Sequence, residues 1–184
     1  MTEDIPGFEE ALVQFAAAMD AIGVEYMVTG STAMNFYAQP RLTRDIDIVI
    51  EAGSKDRRLI VEVLAADFEA DPDIMREALR EKRIFNVFSS GSVKIDVIPR
   101  DPRLHPDPSM ARRRRFLLSD QEVKVISPED LIVAKLHWAR ESRSEMQLRD
   151  IRNLLANGDL DLEYINLRVR EMRLTSIWSE AHSA

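Results

Sequence analysis

Asp45 and Asp47 stand one residue apart in the stretch RLTRDIDIVIE, ahead of Ile48, Val49 and Ile50. In an extended chain, successive side chains alternate between faces. Both carboxylates therefore project from one side and Ile46, Ile48 and Ile50 from the other. Along the strand the carboxylates lie about 6–7 Å apart. Two readings fit such a pair: a solvated strand edge, or a clamp for a hard divalent cation. Mg²⁺ takes oxygen ligands and is commonly held by one or two carboxylates together with substrate phosphates. Asp96, in KIDVIP, is a third candidate. On an adjacent strand it converges on the pair; otherwise it is a surface partner of Lys94 or Arg100. Upstream, VTGSTAM sets Gly30 and Ser31 at a turn between a strand and a helix start. Glycine lets a backbone approach a phosphate closely, and the amides and the Ser31 hydroxyl offer it donors. The bland alternative is an ordinary capped helix.

The cations are spread more widely. Arg41 and Arg44 immediately precede the acidic pair and are candidates for phosphate contact. In SPEDLIVAKLHWARE, Lys135 falls at the centre of an apolar stripe. Leu131 and Ala139 lie about 40° to either side of it, and Ile132 and Trp138 about 60°. Its stem either packs while the ammonium snorkels to water, or the ammonium serves a ligand. Arg112 to Arg115 form the one dense basic run, which reads as a solvated face and, were the acceptor RNA, as the place to look for it. His105, His137 and His182 lack metal-ligand spacing, and His137 reads as half-buried filler.

These groups must be positioned by a mixed α/β core. Phe8, Leu12, Phe15, Ala16 and Met19 recur at helical spacing over residues 7–22. A strand is expected from Val24 to Val28, then a Gly-Ser turn and a short helical run closed by Pro40. DIDIVIE is the second strand. SKDRRLIVEVLAADF is a helix capped by Ser54, and DPDIMREALREK another with Pro72 in its first turn. RIFNVFS and VKIDVIP are strands joined at Ser90-Gly91. Arg100 to Pro108 reads as loop, ARRRRFLLSD has no clear type, and EVKVIS is the last strand. Three helical segments follow, the first opening with Ser127, Pro128 and Asp130 in a capping-box arrangement. The division is a core over residues 1–126 and a helical part over 127–184.

Composition narrows the functional classes. The 184 residues are 45% hydrophobic and 31% charged, as in a globular protein. A net charge of −7 repels nucleic acid and anionic membranes globally, so any such contact is local. The chain has no cysteine, which excludes disulfides and thiolate metal sites. The acidic N-terminus lacks a signal-peptide pattern, and no apolar run approaches a membrane span, so a cytoplasmic protein without membrane association is expected.

The combination of a strand, a Gly-Ser turn, Asp-x-Asp leading a strand and a later single Asp resembles the nucleotidyltransferase superfamily related to DNA polymerase β. Haloacid dehalogenase-type phosphatases and metal-dependent glycosyltransferases place the apolar strand before the aspartates, the reverse of the order here. Within the superfamily, TGSTAMNFYAQPRLTRDIDIVI and SPEDLIVAKLHWARE…RDIRNLL look like AbiEii-type nucleotidyltransferases of bacterial toxin-antitoxin systems. The resemblance implies a nucleotidyltransferase-fold mixed sheet flanked by helices, with a C-terminal helical part. It implies two Mg²⁺ ions on Asp45, Asp47 and Asp96, an NTP held by Gly30, Ser31, Arg44 and Lys135, and release of pyrophosphate. Asp150 and Arg149 match a charged site of the same families, or else pair two helices. The acceptor would be RNA, tRNA or a protein hydroxyl, and a cognate antitoxin or toxin protein a partner. A catalytically silent binding module or antitoxin partner, and an antibiotic-modifying enzyme, are the rival readings.

Overall fold

The alternation in DIDIVI is realised as a strand from Asp45 to Ile50, with Ile46 and Ile48 fully buried and both aspartates half-buried on the opposite face. The computed structural model describes residues 7–38, 43–90, 92–142 and 144–182. Within them the chain runs α1 (Phe8–Ala21), β1 (Tyr26–Thr29), α2 (Gly30–Met34), β2 (Asp45–Ile50), α3 (Arg57–Asp67), α4 (Pro72–Glu81), β3 (Phe85–Phe88) and β4 (Lys94–Pro99). It continues α5 (Asp107–Ala111), β5 (Arg114–Leu118), β6 (Gln121–Val125), α6 (Pro128–Ser142), α7 (Glu145–Asn157), α8 (Leu162–Glu171) and α9 (Thr175–His182).

Among the described residues the strands form one sheet in the order β3-β4-β2-β1-β6-β5. β2 lies between antiparallel β1 and parallel β4, and β1 is parallel to β6. The sheet is thus mixed and the fold α/β, as the resemblance implied. The β-branched side chains of β2 and β4 supply the driving force: Ile46, Ile48, Ile95 and Val97 are fully buried. Each contributes roughly 1.5–3 kcal/mol by leaving water. α1 lays Leu12, Phe15 and Met19 into the core and packs on β6 and α3. α4 starts where Asp71 accepts from the amides of Asp73 and Ile74, with Pro72 in the first turn.

Several expectations are corrected. The first strand runs from Tyr26 to Thr29, later than Val24–Val28, because the left-handed Gly23 is followed by a turn bond from the Val24 amide to Met19. α3 begins at Arg57 with Asp56 at the N-cap position, not Ser54. The stretch from Arg100 to Pro108 runs into a short helix, α5, with proline in its first turn. ARRRRFLLSD contributes an edge strand, β5, paired among the described residues with β6. The helical part has a fourth element, α9, whose Ile177 and Trp178 are buried and whose indole donates to Asn166 at 2.9 Å. Pro40, Arg41, Gly91 and the first six residues lie outside the described residues. No described helix is long and apolar enough to cross a membrane.

Candidate active site

Register decides which carboxylates meet. β2 and β4 run parallel with Asp45 opposite Lys94 and Asp47 opposite Asp96. Partners in such a ladder point to the same face, so three aspartates and one lysine share a patch on the side away from Ile46, Ile48, Ile95 and Val97. The Lys94 Nζ stands 2.8 Å from Oδ1 and 2.9 Å from Oδ2 of Asp96, and 3.8 Å from Oδ2 of Asp45. The hydroxyls of Thr32 and Thr43 both donate to the Asp45 carbonyl at 3.2 Å, which fixes the start of the strand.

On the other flank, Thr29 of β1 pairs with Asp47, and the chain turns at once into α2. Gly30 makes that turn at φ 61°, in the left-handed region. A Cβ there would sit 2.0 Å from Oδ2 of Asp47. The Ser31 amide donates to the Asp47 carboxylate. At least one amide of the Gly-Ser turn therefore orients an acidic group, where the sequence reading offered it to phosphate. Burial pushes the Asp47 carboxyl up to about 6, reinforced by Asp96 and Asp45. The Ser31 amide and the Lys135 ammonium pull in the opposite direction.

A cleft of about 950 Å³ opens beside Asp47, bounded by Gly30 and Ser31 on one side and by Lys135 and Arg168 of the helical part on another. Lys135 does not snorkel. Its side chain is 4% exposed, and its ammonium donates to Asp150, itself 2% exposed, at 2.8 Å and to Gln147 at 3.3 Å. Asp150 is thus an ion-pair partner between α6 and α7, and of the two Lys135 lines the cleft. Ser127 caps α6 as the sequence implied: its hydroxyl accepts from the Asp130 amide at 3.1 Å and donates to the Asp130 carboxylate at 2.9 Å.

Arg44 is exposed and does not line the cleft. Half of the four-arginine run, Arg114 and Arg115, is exposed as a solvated face would be, whereas Arg112 and Arg113 act as anchors. Arg112 reaches Glu129 at 3.3 Å and lies 4.0 Å above the Tyr164 ring, while Arg113 donates to the Tyr26 carbonyl at 2.6 Å and pairs with Glu25. Arg114 lies over Tyr37 and Arg115 pairs with Glu122.

Among the described residues no three acidic or histidine side chains stand arranged to hold a metal ion as they are. The donor set nevertheless suits Mg²⁺: three carboxylates on one face, no nitrogen or sulfur donor among them, and an Asp47 whose pKa is raised by burial and then by the Asp96 and Asp45 charges, a cost that a cation would relieve.

The profile of the family described as "Nucleotidyl transferase AbiEii toxin, Type IV TA system" matches residues 15–175. The chain belongs to this family. No curated protein matches it by sequence. Among solved structures, the fold resembles the antibiotic-resistance factor ANT(2'')-Ia with a TM-score of 0.59 at 15% identity, covering 95% of each chain. An antigenic nucleotidyltransferase-like protein from Paracoccidioides brasiliensis gives 0.55 at 17%, covering 92% of this chain and 90% of that one. The lincomycin-bound lincosamide antibiotic adenylyltransferase LnuA gives 0.54 at 16%, covering 79% and 95%. At these identities the likeness is one of fold, and it agrees with the fold of an AbiEii-family chain.

Sequence reasoning missed the far end of the cleft. His105 is 4% exposed, its Nδ1 has no hydrogen-bond partner among the described residues, and burial pushes its pKa down to about 4. Arg168, nearly buried on α8, donates to the Arg103 carbonyl at 3.3 Å and pairs with Glu171. Trp138, 48% exposed, stands at the same cleft. Motif spacing carries no trace of them, because each comes from a different element. The one available signal was a histidine and an arginine in otherwise packed stretches.

Proposed function

We propose that this AbiEii-family chain transfers a nucleoside monophosphate from an NTP to an acceptor hydroxyl, releasing pyrophosphate, with the NTP bound between residues 1–126 and 127–184. The observation that carries this reading is the in-register placement of Asp96 beside Asp47, with Gly30 and Ser31 packed against the same carboxylate. Two Mg²⁺ ions, held by Asp45, Asp47 and Asp96, would supply charge neutralisation of the phosphates and of the attacking and leaving oxygens.

The chain's own residues do the rest. Gly30 leaves space at the turn and lets Ser31 hold Asp47 in one orientation. Asp96 accepts the proton of, or orients, the attacking hydroxyl. Lys135, aimed by its ion pair with Asp150, faces the triphosphate from the helical wall. Leu131 and Ala134, both buried, give the cleft an apolar side.

Lys82, Arg103, Arg140 and Arg168 line the outer cleft against Asp101 and Glu171. A polycationic aminoglycoside finds more like than unlike charge there, so RNA or a protein hydroxyl is the preferred acceptor over an antibiotic. The family description, a toxin of a type IV toxin-antitoxin system, supports a toxin-antitoxin setting with a cognate antitoxin as partner.

The test is incubation with Mg²⁺ and each NTP labelled at the α-phosphate, with total tRNA and cell protein. Label on an acceptor that disappears in folded Asp47→Asn and Asp96→Asn proteins upholds the reading. NTP binding without transfer points to a silent binding module, and absence of NTP binding ends both.

A further inference from the structure

We propose that the Lys94 ammonium holds the place of the divalent cation in the metal-free protein and must leave when the cation binds. The inference rests on the reading of Asp45, Asp47 and Asp96 as metal ligands. Its own basis is register. Lys94 is the ladder partner of Asp45 and lies two residues before Asp96 on the same strand, so its side chain belongs to the acidic face.

Three carboxylates on two adjacent strands repel one another. Lys94 is the cation that meets two of them, gripping both oxygens of Asp96 and approaching Asp45 at 3.8 Å. An ammonium carries three donors and no acceptor, so it satisfies carboxylate lone pairs as a metal would, without the geometric demands of an octahedral ion. Both Asp96 oxygens are occupied by the ammonium, so lysine and metal compete for the same lone pairs. The side chain is one-third exposed and can swing into water when displaced. Lys94 is thus a positioning residue: it keeps the carboxylates gathered before the ion arrives, at the cost of weaker ion binding.

An ordinary surface ion pair makes a different prediction, which separates the two. Wild type, Lys94→Met, Lys94→Gln and Asp96→Asn proteins are titrated with Mn²⁺ alone, free ion being followed by electron paramagnetic resonance, and are melted in EDTA. Both Lys94 variants should bind Mn²⁺ roughly three- to tenfold more tightly than wild type. In EDTA they should melt below wild type, and Mn²⁺ should raise their melting temperature by more than it raises that of wild type. Binding in the variants equal to or weaker than wild type, with Asp96→Asn still abolishing it, overturns the role of Lys94 alone. Mn²⁺ binding that survives in Asp96→Asn, or that no protein shows, removes the metal reading and this inference with it. The glutamine variant decides the matter if the methionine variant does not fold.

Discussion

Gly30 and Asp47 are packed so closely that a single methyl group on the glycine would lie 2.0 Å from the aspartate's Oδ2. The backbone turn and the acidic group therefore form one unit, each fixing the other. Gly30→Ala strains a left-handed residue, at about 1–2 kcal/mol, and at that φ also pushes the Asp47 carboxylate away. The variant is expected to fold, with a melting temperature lower by several degrees, and to lose at least about 100-fold in nucleotide transfer through misplacement alone. Circular dichroism and the labelled-NTP assay check both. Transfer near the wild-type rate would show that Asp47 need not stand where it does.

Asp47 and His105 give opposite pH slopes in metal-free protein. The Asp47 pKa is raised to about 6, so the folded state holds its proton more tightly. Its contribution to stability is full below about pH 4 and is lost as pH rises through 6. The His105 pKa is lowered to about 4. Its contribution is full above the unfolded value of 6.5 and is lost as pH falls through 4. Each shift corresponds to at most roughly 3 kcal/mol. Urea unfolding in EDTA across pH 4–7.5 should show Asp47→Asn more stable than wild type at pH 7 and steeper on the acid side. His105→Gln keeps the Asp47 contribution alone, so relative to wild type its stability should fall as pH rises through that range. Parallel curves for all three proteins would refute the assignment.

The buried Lys135–Asp150 pair allows structural and functional roles to be separated. Removing either partner leaves a charge in an apolar wall and should cost roughly 3–5 kcal/mol. The double variant Lys135→Met/Asp150→Leu removes both charges and should recover to within about 1–2 kcal/mol of wild type. If Lys135 serves the triphosphate, that stable double variant still loses NTP binding and transfer. Retained NTP affinity, measured by calorimetry, would reduce the pair to a helix clamp.

Arg112, at the end of α5, is tied to the start of α6 through Glu129 and Asp130 and to the start of α8 through Asp161, and stacks on Tyr164. Glu129 and Asp130 are buried while the guanidinium is one-third exposed, so Arg112→Ala should cost about 2 kcal/mol, below the figure for a fully buried pair. That corresponds to about 4–8 °C in melting temperature for a chain of this size. Arg112→Lys should recover only part of it, since lysine lacks the planar fork that stacks and reaches several carboxylates together. Equal stability of alanine and wild-type proteins in thermal denaturation would sink the clamp.

Much of this was legible in the chain itself. The period-2 pattern of DIDIVI and KIDVIP set Asp45, Asp47 and Asp96 opposite their apolar neighbours. The helical period placed Lys135 mid-stripe, and the Ser127 capping box marked the start of α6. These signals are local: they depend on residues a few positions apart, whose geometry follows from the backbone alone. The edge strand in ARRRRFLLSD escaped notice because its four arginines hide the alternation, and their partners lie on other elements.

Only the tertiary structure decided which strands are neighbours. β4 could have paired elsewhere in the sheet, and a slip of one residue would have turned Asp96 into the core. The observed register sets it against Asp47 and brings Lys94 between the carboxylates. Likewise, α7 had to fold back on α6 before Lys135 met Asp150, and α8 had to reach the cleft before Arg168 stood near His105. Such meetings depend on the packing of segments far apart in sequence, driven by burial that is indifferent to which polar groups it gathers.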